Sequence, residues 1–208
     1  MKKNIFFILI CLLGISADKP KLSKVKITSG VTASLPKDFV AMSDEDIAQK
    51  YPSTKKPLAM FTSLDRTVDF GLNVSKSTLG GYDLNILKSL YKATILDLYG
   101  NVQFINEGIE TINKRDYIIF EFTSEADKTR KYTYLQYAVI GNRVYIFNFT
   151  VGAEKKEKWQ PIAKLIMQSL KIDVKKLKES IEIAQPVHKG KRPVEVVKFQ
   201  KENKERKK

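Results

Sequence analysis

Residues 102–151 read VQFINEGIETINKRDYIIFEFTSEADKTRKYTYLQYAVIGNRVYIFNFTV, and this stretch decides the fold. It contains four runs rich in β-branched and aromatic residues, separated by turn-forming residues such as Gly141-Asn142. Because consecutive strands with short connections pair with one another, these runs predict an antiparallel meander. The predicted strands are Val102–Ile112, Tyr117–Thr123, Tyr132–Ile140 and Val144–Val151.

Alternation within these runs assigns side chains to the two faces of the predicted sheet, because successive residues of a strand point in opposite directions. Apolar residues at every second position indicate a face that packs against a core. Such sets are Ile118, Phe120 and Phe122 in the second run, and Tyr145, Phe147, Phe149 and Val151 in the fourth.

A hairpin is predicted upstream, with arms at Leu58–Ser63 and Val68–Ser75. The second arm alternates an apolar face with a polar one that carries Asp69, Gly71 and Asn73. Asn73-Val74-Ser75 also fits the N-glycosylation sequon, as does Asn148-Phe149-Thr150, which matters only in a eukaryotic secretory route.

Helical periodicity appears on both sides of the meander, over residues 83–99 and 154–170. A shorter helix is predicted to begin after Ser43, whose hydroxyl caps it, and to end near Lys50. Residues 25–35 predict a first strand, interrupted at Ser29-Gly30. The fold class is therefore α+β, an antiparallel sheet covered by helices.

Three phrases resemble the PsbP-like α/β/α sandwich superfamily, which includes DcrB-like proteins: ASLPKDFVAMSDEDIAQKYP, GNRVYIFNFTVG and KWQPIAKLIMQSLKI. The resemblance covers about residues 25–172 and implies the sandwich fold. Members of the superfamily are mostly non-enzymatic binding or assembly proteins with unrelated partners, so the resemblance implies a fold more than a function.

The first seventeen residues, MKKNIFFILICLLGISA, have the layout of a secretory signal peptide. We expect cleavage after Ala17 and export to a periplasmic or extracellular compartment; retention as an N-terminal anchor is the alternative. The predicted organisation is a leader at 1–17, a linker at 18–24, the α+β domain at 25–172, and a flexible basic tail at 173–208.

Few residues suited to catalysis remain after the leader. Cleavage removes Cys11, the only cysteine, and the only histidine is His188 in the tail. We therefore expect no catalytic residue, no metal site and no cofactor. The enzymatic alternative is a carboxylate-based hydrolase acting on envelope polysaccharide, which would need two convergent carboxyl groups. The sequence offers Asp65 with Asp69, and Glu107 with Glu110.

The predicted third strand carries the candidate ligand face, because aromatic residues there alternate with polar ones beside two cations. Such a surface can stack on a planar ligand while it binds an anion. Packing of the tyrosines in the sheet is the alternative. The candidate residues are Arg130, Lys131, Tyr132, Tyr134 and Gln136.

The C-terminal tail is the second candidate, since the chain has a formal net charge of +14 and the tail is lysine-rich. Several cations near an anionic membrane can hold a protein at its surface; the alternative is a segment that only improves solubility. The tail residues considered are Lys189, Lys191, Arg192, Lys198, Lys201, Lys204, Arg206, Lys207 and Lys208.

The sequence as a whole predicts an exported, non-enzymatic binding or assembly protein of the cell envelope. The expected partner is an envelope protein of unknown identity, with an anionic membrane surface or a glycan as a further partner of the tail. Nucleic-acid binding through the tail is an alternative that export disfavours.

Overall fold

The computed structural model describes residues 21–52, 56–75, 83–126 and 129–177. The predicted leader and residues 178–208 of the predicted tail lie outside these ranges. The strands are β1 (Leu22–Thr28), β2 (Val31–Pro36), β3 (Phe39–Ala41), β4 (Ala59–Ser63), β5 (Val68–Val74), β6 (Gly100–Ile112), β7 (Arg115–Ala126), β8 (Thr129–Ile140), β9 (Arg143–Gly152) and β10 (Lys171–Ile172). The helices are α1 (Asp44–Lys50), α2 (Leu84–Leu98) and α3 (Lys156–Gln168), and a 3-10 turn (Ala153–Lys155) precedes α3.

A seven-stranded antiparallel sheet forms the centre of the fold, in the order β3-β4-β5-β9-β8-β7-β6. Strands β6 to β9 are neighbours in chain order, so the predicted meander is confirmed. The predicted hairpin is β4 and β5, and the two predicted long helices are α2 and α3. The predicted α+β fold class is therefore confirmed.

The N-terminal prediction needs a correction, because residues 25–35 are not one interrupted strand. They contribute to two antiparallel strands, β1 and β2, which form a separate three-stranded sheet with β10. Gly30 lies in the turn between them, where a Cβ atom would come within 2.4 Å of the backbone nitrogen of Leu177. A glycine is needed at this position because the chain from the other end of the domain packs directly against it.

Both ends of the packed domain extend beyond the predicted limits of 25 and 172. Leu22 opens β1 within the predicted linker, and it packs against the core. Leu177, in the predicted tail, is fully buried in the same core. The apolar contacts of these two leucines explain why the domain is longer at each end.

One face of the seven-stranded sheet packs against α3 and the small sheet; we call it the closed face. Trp159 of α3 lies against Phe39 and Phe149, with ring centroids 6.0 Å apart in each pair. Burial of apolar side chains in such a core is the main source of folding free energy. Sheet residues of the closed face include Phe70, Leu72, Ile119, Tyr132, Tyr134, Tyr145, Phe147, Phe149 and Val151.

The opposite face of the sheet packs against α2; we call it the α2 face. Leu87 and Ile95 of α2 are buried there against Phe120 and Phe122, and Tyr91 stacks on Tyr137 with ring centroids 4.3 Å apart. The predicted shared face of Ile118, Phe120 and Phe122 is therefore confirmed. The sheet has helices on both sides, as a sandwich requires.

Candidate functional site

The structure separates the five residues of the predicted ligand face. Tyr132, Tyr134 and Gln136 lie on the closed face and are buried, so they do not form an exposed ligand surface. Packing accounts for the two tyrosines, because the closed face is covered by α3 and the small sheet. Arg130 and Lys131 lie near the start of β8 and remain accessible to solvent.

A buried carboxylate on the closed face contacts Tyr132 and two residues of α3. Glu121 is fully buried on β7. It accepts a hydrogen bond of 3.0 Å from the Tyr132 hydroxyl and another from Gln160 of α3, and the Lys164 ammonium lies 3.3 Å from its second oxygen. A buried charge is tolerated when it is paired and hydrogen-bonded in this way. Burial, together with the Glu121 carboxylate, raises the pKa of Tyr132 well above its ordinary range.

Arg130 and Lys131 line an open groove of about 830 Å³ at the ends of the meander strands; we call it the basic groove. The Arg130 guanidinium donates a 2.6 Å hydrogen bond to Gln103 of β6, which orients it along the groove. Lys156 adds a third cation. Glu154 is the one carboxylate among the described lining residues. The lining residues are Gln103, Phe104, Ile105, Thr123, Thr129, Arg130, Lys131, Gly152, Ala153, Glu154 and Lys156.

A second cavity, of about 580 Å³, lies on the α2 face; we call it the polar cleft. Side chains of four adjacent strands form its floor, and residues at the ends of α1 and α2 form its walls. The lining residues are Lys50, Tyr51, Asp69, Asn73, Tyr99, Ser124, Thr129, Lys131, Thr133, Leu135, Ile146, Asn148 and Thr150. Its size is within the usual range for small-molecule sites.

The end of α1 fixes one wall of the polar cleft. Ser43 caps this helix by accepting a hydrogen bond from the Asp46 backbone at 3.1 Å, as the sequence predicted. Lys50 and Tyr51 lie at the other end of this helix and line the cleft.

Both wall residues contact Asp69 of β5. The Tyr51 hydroxyl donates to Asp69 at 2.5 Å, and the Lys50 ammonium lies 2.7 Å from the same carboxylate. Burial and the negative charge of Asp69 raise the pKa of Tyr51, so this hydroxyl remains a donor at neutral pH. These contacts hold the wall in one position against the floor.

Two oxygen atoms in the polar cleft have no hydrogen-bond partner within the described part of the chain. They are the Ser124 hydroxyl and the side-chain carbonyl oxygen of Asn148. Ser124 is only 1% exposed. Buried polar atoms are normally hydrogen-bonded, so each unpartnered atom requires an explanation.

The carboxylates suggested by the sequence are engaged by neighbouring side chains in the structure. Asp65 is held in the β4–β5 turn by Ser63 and Thr67, whose hydrogen bonds lower its pKa. Glu107 is paired with Lys92 at 2.7 Å. Within the described ranges no three His, Cys, Asp or Glu residues are grouped closely enough to hold a metal ion. No described helix is long and apolar enough to cross a membrane.

Known structures share this architecture. Cyanobacterial PsbP (CyanoP) from Synechocystis sp. PCC 6803 superimposes with a TM-score of 0.51 at 10% identity, over 76% of this chain and 96% of that one. LpqN, involved in cell envelope biogenesis of Mycobacterium tuberculosis, gives a TM-score of 0.53 at 12% identity, over 73% of this chain and 90% of that one. The chain has a PsbP-like fold. No protein-family model and no curated protein sequence matches it.

Sequence patterns did not predict the polar cleft, because the cleft is formed by strands that become neighbours only in the folded sheet. Asn73 was predicted only to lie on the polar face of a hairpin arm and in a sequon, and Asn148 and Thr150 only in a second sequon, although all three line the cleft. The signal available in the sequence was a row of polar residues on the second face of β5 and of β9, two strands that are directly paired although residues 75–142 separate them in the chain. Only the sheet order places these two polar rows side by side.

Proposed function

We propose that this chain is an exported, non-enzymatic binding or assembly protein of the cell envelope whose basic groove and cationic C-terminal segment contact an anionic surface. Export rests on the leader at residues 1–17 and its proposed cleavage after Ala17. The mass of the protein recovered from its native envelope fraction tests this step. A mass that includes residues 1–17 would instead favour retention as an anchor.

The basic groove is the observation that carries the proposal. Arg130, Lys131 and Lys156 come from β8 and from α3, and they line one open cavity against a single described carboxylate, Glu154. Half-exposed Ile105 lines the same groove and adds an apolar contact. Clustered cations next to apolar side chains suit the interface of an anionic membrane.

The PsbP-like fold supports a binding role in a more general way. LpqN has this architecture, and its involvement in cell envelope biogenesis is known for that protein. A shared fold does not transfer a function by itself. The shared fold, the predicted leader and the positive net charge of this chain are all consistent with an extracytoplasmic role.

Sedimentation with phosphatidylglycerol vesicles at low salt tests the groove. The triple variant Arg130→Gln, Lys131→Gln, Lys156→Gln should bind about a hundredfold more weakly, because each cation near an anionic surface contributes about 1 kcal/mol. The matched control is Lys24→Gln, Lys26→Gln, Lys171→Gln, which removes the same charge from the exposed side of the small sheet. Equal weakening in both variants would reject the groove as a specific site.

The tail contribution is tested separately in the same assay. Replacing Lys204, Arg206, Lys207 and Lys208 by glutamine should further weaken sedimentation, and the effect should fade as salt is raised. Unchanged sedimentation at low salt would assign the tail to solubility alone.

The non-enzymatic part of the proposal is supported by the contacts of two buried carboxylates. Asp69 is held by Lys50 and Tyr51, while Glu121 is sealed beneath α3. A hydrolase would need an acid and a second carboxylate facing the same sugar, about 5–9 Å apart. Release of reducing sugar from envelope polysaccharide, lost in Asp69→Asn, would contradict the proposal.

A further inference from the structure

The floor of the polar cleft is unusual for a sheet face packed under a helix. In the strand register, Asp69 lies opposite Thr150, and Thr150 lies opposite Thr133. The adjacent row places Asn148 opposite Gly71, which lacks a side chain and so leaves room for the amide. Hydroxyl, amide and carboxylate groups therefore occupy positions that are apolar farther along the same strands, where α2 covers them.

Some polar atoms of the cleft make no hydrogen bond to any described residue. The Ser124 hydroxyl and the Asn148 carbonyl oxygen are buried without partners. Ser124 lies opposite Lys131 in the β7–β8 register, and both residues line the cleft. A bound molecule that accepts from these groups, and donates to Asn148, would complete the hydrogen bonding.

The charges in the cleft favour an anionic ligand that also carries hydroxyl groups. Asp69 is the one carboxylate among the described lining residues, and Lys50 already balances it at 2.7 Å. Lys131 makes no ion pair with any described residue and so contributes a positive charge to the cleft. Tyr51 and Tyr99 provide walls of aromatic carbon and hydroxyl. Burial raises the pKa of Tyr99, which keeps it neutral.

We propose that the polar cleft binds a small phosphorylated polyol. Lys131, Ser124 and Thr133 donate to the phosphate, which offers about three acceptor oxygens and more than one negative charge. Asn148 and Asp69 accept from the hydroxyl groups of the polyol. The cleft shares Thr129 and Lys131 with the basic groove, whereas Ser124, Thr133 and Asn148 line the cleft and not the groove.

The test uses protein produced from the full sequence and labelled with nitrogen-15. It is titrated with sn-glycerol 3-phosphate, inorganic phosphate and glycerol, and the NMR signals are followed residue by residue. We expect saturable shifts at Ser124, Lys131 and Asn148 with glycerol 3-phosphate, binding at least tenfold weaker with inorganic phosphate, and none with glycerol. Equal affinity for inorganic phosphate, or shifts confined to other residues, would overturn the proposal.

Variants of uncharged residues separate this proposal from the function proposed for the basic groove. Ser124→Ala and Asn148→Ala should each weaken glycerol 3-phosphate binding about fivefold or more, and they leave every cation of the basic groove in place, so the loss reports on the cleft alone. Lys131→Gln should weaken it at least tenfold, and Lys26→Gln, which removes a charge from exposed β1, should not. If Lys26→Gln weakened binding as much as Lys131→Gln, the affinity would reflect net charge alone and the site would be rejected.

The source of the polyol phosphate is decided by competition. Glycerol 3-phosphate that displaces the protein from phosphatidylglycerol vesicles identifies a lipid headgroup as the occupant. Binding of glycerol 3-phosphate without displacement identifies a soluble metabolite. Both results require occupancy of the cleft in the titration, and without that occupancy the proposal fails.

Discussion

The two faces of the central sheet are built from the same strands but differ in how they are completed. The closed face is sealed by α3 and the small sheet, and its buried carboxylate, Glu121, accepts hydrogen bonds from Tyr132 and Gln160 and is paired with Lys164. The α2 face is sealed only where α2 lies, and beyond that helix it leaves a polar cleft with two unpartnered oxygens. The oxygens of the closed face that accept no hydrogen bond from a described residue, on Glu121 and Gln136, lie beneath α3, whereas those of Ser124 and Asn148 line a cavity that a ligand can enter.

The largest expected loss of unfolding free energy comes from removing a buried side chain of the closed face. Trp159→Ala removes a buried indole that packs on Phe39 and Phe149, and it should lower the free energy of unfolding by about 3–5 kcal/mol. Leu165→Ala is the matched control, because Leu165 lies on the same helix but is 43% exposed. Urea unfolding measures both. Similar losses in the two variants would mean that the closed face is not the main core.

Alkaline pH should also destabilise the closed face. Burial, with the nearby carboxylates, raises the pKa values of Tyr132 and Tyr134 well above the ordinary value of 10.0. Because the folded pKa is raised, their stabilisation is complete below pH 10 and is lost as the pH rises further, by about 1.4 kcal/mol for each tyrosine at pH 11.

Absorbance at 295 nm, recorded with the unfolding free energy, tests this dependence. Tyrosinate from these two residues should appear only as the protein unfolds. Tyrosinate from them in the folded protein near pH 10 would contradict their burial.

A smaller loss of unfolding free energy is expected when the hydrogen bond from Tyr132 to the buried Glu121 carboxylate is removed. Tyr132→Phe should cost about 2 kcal/mol of unfolding free energy, because a hydrogen bond to a charged buried group is lost. The loss should be smaller in a Glu121→Gln background, since the charge is then absent. A double-mutant cycle measures this coupling. Additive losses would show that the Glu121 charge does not contribute.

The smallest stability effect is expected in the polar cleft. Ser124→Ala removes a buried hydroxyl that has no partner among the described residues, so the unfolding free energy should change by less than about 0.5 kcal/mol or rise slightly. Urea unfolding of this variant completes the comparison of the two faces. A loss of 2 kcal/mol or more would mean that Ser124 is needed for folding, as the closed-face residues are.

Local patterns in the sequence predicted the parts of the fold that depend on neighbouring residues. Ile118, Phe120 and Phe122 share a face because strand alternation is a property of the backbone. The prediction for residues 25–35 was wrong because the chain reverses at Ser29-Gly30 and pairs β1 with β2. Packing of Leu177, which is distant in the chain, leaves room only for glycine in this turn. No local pattern reports such a contact.

The candidate ligand face was harder to predict, for a related reason. Alternation correctly grouped Tyr132, Tyr134 and Gln136, but it does not say which side of the sheet is covered. α3 covers that side, and the accessible polar groups lie on the other one. The polar cleft takes its lining from four strands and from the ends of two helices, so its residues are assembled only by the tertiary fold.

The central claim is that ligands contact the basic groove and the polar cleft while the closed face only holds the fold together. Hydrogen exchange measured by mass spectrometry, with and without phosphatidylglycerol vesicles and sn-glycerol 3-phosphate, tests it most directly. We predict added protection in peptides covering residues 129–131 and 152–156 with vesicles, at residues 122–125 and 146–150 with glycerol 3-phosphate, and no change over 159–167. Protection confined to α3, or no change in the groove and the cleft, would contradict the account.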